Sequence, residues 1–529
     1  MALFSIKFIG FVFITLVVYY ALNKKAPGKQ WIVLLLASLV FYHWTGKFSY
    51  IIITALTTWA GALLSVKIGA KYKAIKKDKT ISRAEKKVVK KHILNQRRVA
   101  LLAVMLVNFG ILGYIKYWST MWNGLMGFLQ MNPGFHFGHL LLPLGISFYT
   151  FQSMGYMIDV HNDKYPPERN FFKFLLFVSF FPQLIQGPIN RFDALAKQLF
   201  EPHPVLFENI RYGMLLFGFG AMKKFAIADL LNPSVAAIMD KGPGDMPGSI
   251  MLLGAFLYAI QQYADFSGGI DMVMGAARMF DIQMAPNFRQ PYFSTSLGDF
   301  WRRWHITLGA WMRDYVFYPF ALTDSMLHFG KWAGTHLGKH CGRVLPACVG
   351  NLVVFFLVGI WHGPELHFVL WGLYNGIIIA LNDLFEPVFK AGLHFLHVNE
   401  KSKGYHLFLI LLTFFIVNIA GYFDRITDVS KSFHFLAHTF TNFEVSGFGA
   451  TYHSLVYPHL SDHAILVICL ASIIVFINSV LQERKIDTFS RLADVHIAFR
   501  WAVYYGVIFL TMASFLIPSG AGGFMYANF

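Results

Sequence analysis

Apolar runs long enough to cross a hydrocarbon core of about 30 Å recur from end to end, and they constrain this chain more than any other feature. "FIGFVFITLVVYYAL", "IIITALTTWAGALLSV", "LLAVMLVNFGILGYI", "LFLILLTFFIVNIAGY", "AILVICLASIIVFINSVL" and "WAVYYGVIFLTMASFLI" are examples. Roughly eleven to thirteen such segments can be traced, some too short to span fully. Lipid offers no water to backbone amides, so single segments of this kind must close their own hydrogen bonds as helices. Only 14% of the 529 residues are charged and 56% are hydrophobic, with a mean hydropathy of +0.50. A soluble domain carries about a quarter charged residues. The expectation is an all-α polytopic integral membrane protein, one membrane domain over residues 1–529. The first run is read as a span, not a signal peptide, because more spans follow and no small-residue cleavage site stands out.

Charge suggests orientation. The net charge of +17 is densest at residues 67–98, where thirteen Lys and Arg face only Asp78 and Glu85. Between spans, such a loop reads as cytoplasmic and lipid-facing under the positive-inside rule, not as a nucleic-acid site. Counting back through three spans puts residues 23–30 inside and the N-terminus outside. The basic stretch 482–500 also reads as cytoplasmic, which leaves the C-terminus outside and an even number of crossings. Residues 424–462, the least hydrophobic stretch after residue 100, are expected to pack as amphipathic helices on the membrane surface. Cys341, Cys348 and Cys469 have no metal-ligand spacing. Cys341, in a basic loop assigned to the reducing side, remains open as a catalytic or acyl-carrying thiol. His434, His438, His453, His459 and His463 scatter without ligand spacing, and no metal site is expected.

An ionisable residue at membrane depth is costly, which makes it a functional candidate. "YADFSGGIDMVMGAARMF" (263–280) holds Asp265 and Asp271 beside a Ser-Gly-Gly that can interrupt a helix. "LGDFWRRWHITLGAWMRDY" (297–315), if helical, puts Trp301, Trp304, His305 and Leu308 on one face. Arg302 and Arg303 flank that face and suit a lipid phosphate or an anionic donor. In "FFPQLIQGPINRF" (180–192), Pro182, Gly187 and Pro188 break the helix while Gln183 and Gln186 supply buried amides.

"FLVGIWHGPELHFVLWGLYNG" (356–376) places a Trp-His-Gly-Pro break inside an apolar run. Gly363 before Pro364 is biased away from helix, and Pro364 suits the first turn of a new helix over about 365–381. A preceding helix over about 346–361 would measure roughly 24 Å, short of a full crossing. His362 would then lie below the membrane surface, in a funnel or re-entrant hairpin near the positive end of the next helix. That field favours a neutral imidazole, suited to taking a hydroxyl proton.

"YADFSGGIDM", "NFRQPYFSTSLGDFWRRWHITLGAWMRDYVFYPF", "FFPQLIQGPINRF" and "GIWHGPELHFVLWGLYNG" together resemble the membrane-bound O-acyltransferase (MBOAT) family. The likeness is closest to its bacterial branch of alginate and peptidoglycan O-acetyltransferase membrane subunits. It implies the MBOAT fold, with helices around a central funnel or tunnel. His362 matches the family's near-invariant histidine and His305 a second functional position. The donor would be an acyl thioester, acetyl-CoA by branch, entering from the cytoplasm, with no permanently bound cofactor. The acceptor would approach from outside, implying a polysaccharide and an extracytoplasmic acetyltransferase partner at a bacterial inner membrane. The sequence departs at "QLIQGPI", where relatives often have a small residue at the position of Gln186. "GGFMYANF" resembles a terminal Phe-x-Tyr-x-x-Phe motif of the alginate branch and of a teichoic-acid D-alanylation accessory protein. By that likeness Tyr526 is a covalent acyl relay. A transporter or flippase of an acyl or lipid-linked donor is the alternative, since broken helices with buried polar groups serve either. No Walker loop is present, which disfavours an ATP-driven pump.

Overall fold

The computed structural model describes residues 5–45, 48–77, 80–129, 143–242, 244–518 and 523–524. Seven described helices are long and apolar enough to cross a membrane, and eight if the pair Leu366–Leu384 and Glu386–Phe395, bent by 58°, is one span. Large apolar side chains such as Phe13, Leu106, Leu411, Phe476 and Phe509 point outward. Water would penalise that surface, whereas acyl chains solvate it. The protein is a multi-pass, all-helical membrane protein.

The chain divides into two compact units. The first comprises, among the described residues, those within 1–214 and 273–285. Its long helices are Ile6–Lys25, Gln30–Thr45, Phe48–Lys77, Arg83–Phe128 and Ile146–His161. Helix Arg83–Phe128 starts inside the basic segment with a capping box: the Glu85 N–H donates to Ser82 Oγ and the Ser82 N–H to Glu85 Oε2. That box closes two otherwise orphaned donors. The Pro/Gly break behaves as its sequence suggests. Helix Phe181–Gln186 carries Pro182 in its first turn and ends at Gly187. Gln183 Nε2 donates to the Phe177 carbonyl, while Gln152 and Asn190 both donate to Gln183 Oε1. The glutamine thus satisfies backbone that the break exposes. Gln186 is fully buried, and neither of its amide atoms has a hydrogen-bond partner among the described residues.

The second unit comprises, among the described residues, those within 215–272 and from 286 to 524. Its frame includes the hairpin Lys339–His362 and Leu366–Leu384, then Lys403–Arg425, Asp462–Glu483 and Ile497–Ser514. Helix Gly248–Met279 runs unbroken through Ser267-Gly268-Gly269, contrary to the expected interruption. Gly268 serves packing instead. A Cβ on Gly268 would lie 2.7 Å from the Gly220 carbonyl oxygen, and one on Gly220 would lie 2.8 Å from Met272 N. Small residues at such a crossing let two backbones meet, the usual solution where lipid supplies no hydrophobic drive.

That close approach serves a charged interior. A π-helical turn, Lys223–Asp229, carries two buried lysines. Lys223 pairs with Asp271 at 2.6 Å and donates to Ser267 Oγ at 2.9 Å. Lys224 pairs with Asp265 at 2.6 Å and Asp229 at 2.8 Å. The two aspartates singled out in the sequence therefore have cationic partners, from the adjacent lysines of "MKKFAIAD".

Candidate functional site

The segment around His305 is not one helix. Helix Leu297–Arg303 is capped by Ser296 and ends before Trp304, which is extended and bridges Phe288. A new helix, Ile306–Met312, begins after His305, which has φ 45° and ψ 51°. The expected continuous face of Trp301, Trp304, His305 and Leu308 is therefore not formed. The cause is a tertiary bracket: the Arg289 N–H donates to the Arg303 carbonyl and the Ile306 N–H to the Asn287 carbonyl, pinning both sides of the break. A left-handed non-glycine residue costs roughly 1–3 kcal/mol and persists only where its surroundings impose it.

Asn287 also fixes the imidazole. Its Oδ1 accepts from the Thr307 N–H at 3.1 Å and the Thr307 hydroxyl at 2.9 Å, so it is an acceptor. His305 Nδ1, 3.2 Å away, is then the N–H nitrogen, leaving the lone pair on Nε2. His305 is buried, and burial pushes its pKa down to about 3. The ring is held against Phe266, at 4.9 Å between centroids, and Trp361, at 5.9 Å.

His362 is the last residue of helix Lys339–His362. That helix has 24 residues, not the sixteen expected, and at 1.5 Å each it is about 36 Å long. It continues through Pro346, because a packed neighbour, helix Asp324–His336, meets it there and one missing amide is tolerated. The helix is therefore long enough to cross. Pro364 lies outside both helices, since the next begins at Leu366 with Glu365 as its cap. The His362 ring is buried among Trp361 (4.9 Å), Trp371 (4.8 Å) and Phe368 (5.8 Å). Trp361 thus touches both histidines. Sequence positions 57 apart converge on one indole.

Trp301 Nε1 donates to Asn375 Oδ1 at 3.1 Å, and its ring lies 5.5 Å from Trp371. A cavity of about 30 Å³ adjoins these rings, lined by Trp301, Trp304, Trp371, Asn375, Asn418 and Asp424 among others. That is room for about one ordered water. Arg303 is engaged by Asp299 at 2.9 Å and by both Glu483 oxygens at 2.9 and 3.0 Å. Arg302 pairs with Asp299 at 3.4 Å and keeps an exposed side chain. Cys341 stands in the first turn of the helix that ends in His362, about 31 Å along the axis, so it is not part of this cluster. Tyr526 and Phe529 lie outside the described residues.

Sequence reasoning missed Asn287, Trp371 and the two buried lysines. The lysines had a legible signal, two cations inside an apolar run that also needs partners for Asp265 and Asp271. Asn287 had none, because its role is set by the register of a loop against a helix break.

A model of the membrane-bound O-acyltransferase family matches residues 39–337, which include Arg302, Arg303 and His305 and stop before His362. The chain is 33% identical over 395 residues to a probable alginate O-acetylase, AlgI, of Pseudomonas syringae pv. tomato, covering 73% of this chain and 65% of that protein. It is 28% identical over 461 residues to a peptidoglycan O-acetyltransferase of Helicobacter pylori, covering 81% and 77%. A teichoic acid D-alanyltransferase of Bacillus subtilis is 28% identical over 268 residues, 49% of this chain and 64% of that protein. The chain thus spans just under two thirds of the length of the first of these relatives.

Proposed function

Because the chain belongs to the membrane-bound O-acyltransferase family, we propose that it is an O-acyltransferase moving an acetyl group from a cytoplasmic thioester to an extracytoplasmic polysaccharide. The observation that carries this reading is the convergence of His305 and His362 on Trp361, each at a helix break and each buried. Relatives named for acetylating alginate or peptidoglycan support the acetyl group and the acceptor class.

His362 is the general base. It takes the proton of the Tyr526 hydroxyl as the phenolic oxygen attacks the thioester carbonyl. The carbon–sulfur bond breaks, the thiolate leaves, and the imidazolium returns its proton to that sulfur. Acetyl-tyrosine and free thiol result, with no net proton uptake. A sugar hydroxyl, brought by an extracytoplasmic transferase partner, then takes the acetyl group and restores the tyrosine. His305, neutral and presenting Nε2, orients or assists the acyl group, while a placed base contributes about 10²–10⁴-fold to such a step. Arg302, with its exposed guanidinium, meets the anionic part of the donor, and Arg303 holds the helix in place through its carboxylates. The membrane is a bacterial inner membrane, with the basic segment 67–98, two helix ends and a short connection, cytoplasmic and both ends outside.

The test is incubation of the purified protein with radiolabelled acetyl-CoA, followed by peptide mapping. Label on Tyr526 that is lost in His362→Ala and Tyr526→Phe is the expected result. Full acetylation of the extracellular polymer by a Tyr526→Phe strain would sink the relay.

A further inference from the structure

The buried lysine pair differs in what it binds. Lys223 is spent within its own helices, on Asp271 and Ser267. Lys224 reaches across 299 positions to the tail: its Nζ donates to the Gly523 carbonyl at 3.2 Å and lies 4.9 Å from the centre of the Phe524 ring. An ammonium has three protons. Asp265, Asp229 and the Gly523 carbonyl all lie within hydrogen-bonding distance of it, and the Phe524 ring faces the cation. Phe524 is itself buried. The next residue along, Phe225, packs on Phe515 at 5.0 Å, just past helix Ile497–Ser514. Two adjacent residues of one π-helical turn therefore grip the tail segment at two points.

The grip and the histidine site share one helix, Gly248–Met279. Asp265, which orients Lys224, directly precedes Phe266, whose ring packs on His305. Tyr526 is two residues beyond Phe524, at most about 7 Å of extended chain.

We propose that Lys224, held by Asp229 and Asp265, is a seat for the C-terminal tail at Gly523 and Phe524, and that seating this segment is required for acyl transfer to Tyr526. The transfer half rests on the acyl-relay reading above. Lys224 and Phe524 are positioning residues that touch the tail and not the reacting atoms.

The experiment uses the full chain in nanodiscs, with wild type, Phe524→Ala, Phe524→Trp and Lys224→Met compared. Phe524→Ala is the decisive variant, since Lys224→Met leaves two buried aspartates without their cation and can fail to fold. Hydrogen exchange of the peptide covering residues 515–529 reads the seat. Radiolabel from acetyl-CoA on Tyr526, at saturating donor, reads positioning. The expected result for Phe524→Ala is faster tail exchange and Tyr526 labelling slowed by about ten- to a hundredfold, with the donor concentration for half-maximal rate unchanged. Phe524→Trp, which keeps a cation-facing ring, should restore most of the rate. Unchanged exchange in Phe524→Ala overturns the seat whatever becomes of the tyrosine. Faster exchange with wild-type labelling overturns the positioning role. Faster exchange in a protein whose wild type never labels Tyr526 supports the seat and sinks the relay instead.

Discussion

At the scale of single residues, Asn287 links backbone and chemistry. One oxygen accepts from Thr307 and meets His305 Nδ1, so it sets the tautomer of an imidazole that burial keeps neutral. Asn287→Ala should lower turnover by about tenfold or more while leaving most of the fold, which comparison of kcat with detergent melting temperature will separate. Asn287→Asp keeps an acceptor but adds a negative charge, which favours the imidazolium and raises the His305 pKa. Its rate should then fall on the acid side at a higher pH than the wild-type rate does. The linkage has a definite sign. Folded His305 titrates far below an unfolded histidine, so the unfolded chain binds more protons between the two values. Stability from this group is complete above about pH 6.5 and declines below it, by up to about 1.4 kcal/mol per pH unit. Acid melting curves that stay flat down to pH 4 would contradict a buried neutral His305.

Among the helices, the decisive contacts are glycine crossings and buried ion pairs. Gly268→Leu has no room against the Gly220 carbonyl and should prevent recovery of folded protein, and Gly268→Ala should cost about 1–3 kcal/mol in thermal unfolding. An unchanged melting temperature in Gly268→Ala would mean that the helices part at little cost. For the ion pair, Lys223→Met alone strands Asp271 and should destabilise by about 3–5 kcal/mol. Adding Asp271→Leu should recover much of that loss, because a matched apolar pair avoids both desolvation penalties. The Ser-Gly-Gly stretch shows why local signals mislead here. Two adjacent glycines weaken an isolated helix, yet in this one Gly268 admits a neighbouring backbone. Likewise Pro346, a breaker in water, is carried within helix Lys339–His362 because a neighbour packs on it.

For the whole molecule, the charge pattern predicts sidedness. A cysteine introduced at Thr80, in a background lacking the three native ones, should be labelled by a membrane-impermeant maleimide only after the inner membrane is opened. Labelling in intact spheroplasts would reverse the proposed topology, and with it the side from which the donor enters. The outward-facing Phe13, Leu106 and Phe509 carry the complementary expectation, that transfer from detergent to lipid preserves folding while removal of both precipitates the protein.

The all-helical membrane class and the break at Gln186-Gly187-Pro188 could be read from residue order alone. Each rests on a local rule: the length of an apolar run and the missing amide of proline. Tertiary structure decided that Trp304–His305 would break a promising amphipathic helix, and that Asn287 would choose the imidazole tautomer. It also decided that Trp361 would carry both histidines, and that Lys224 would meet the tail from 299 positions away. These outcomes depend on which distant groups arrive at hydrogen-bonding or ring-contact distance. No window of sequence contains that information, because it is set by how helices cross.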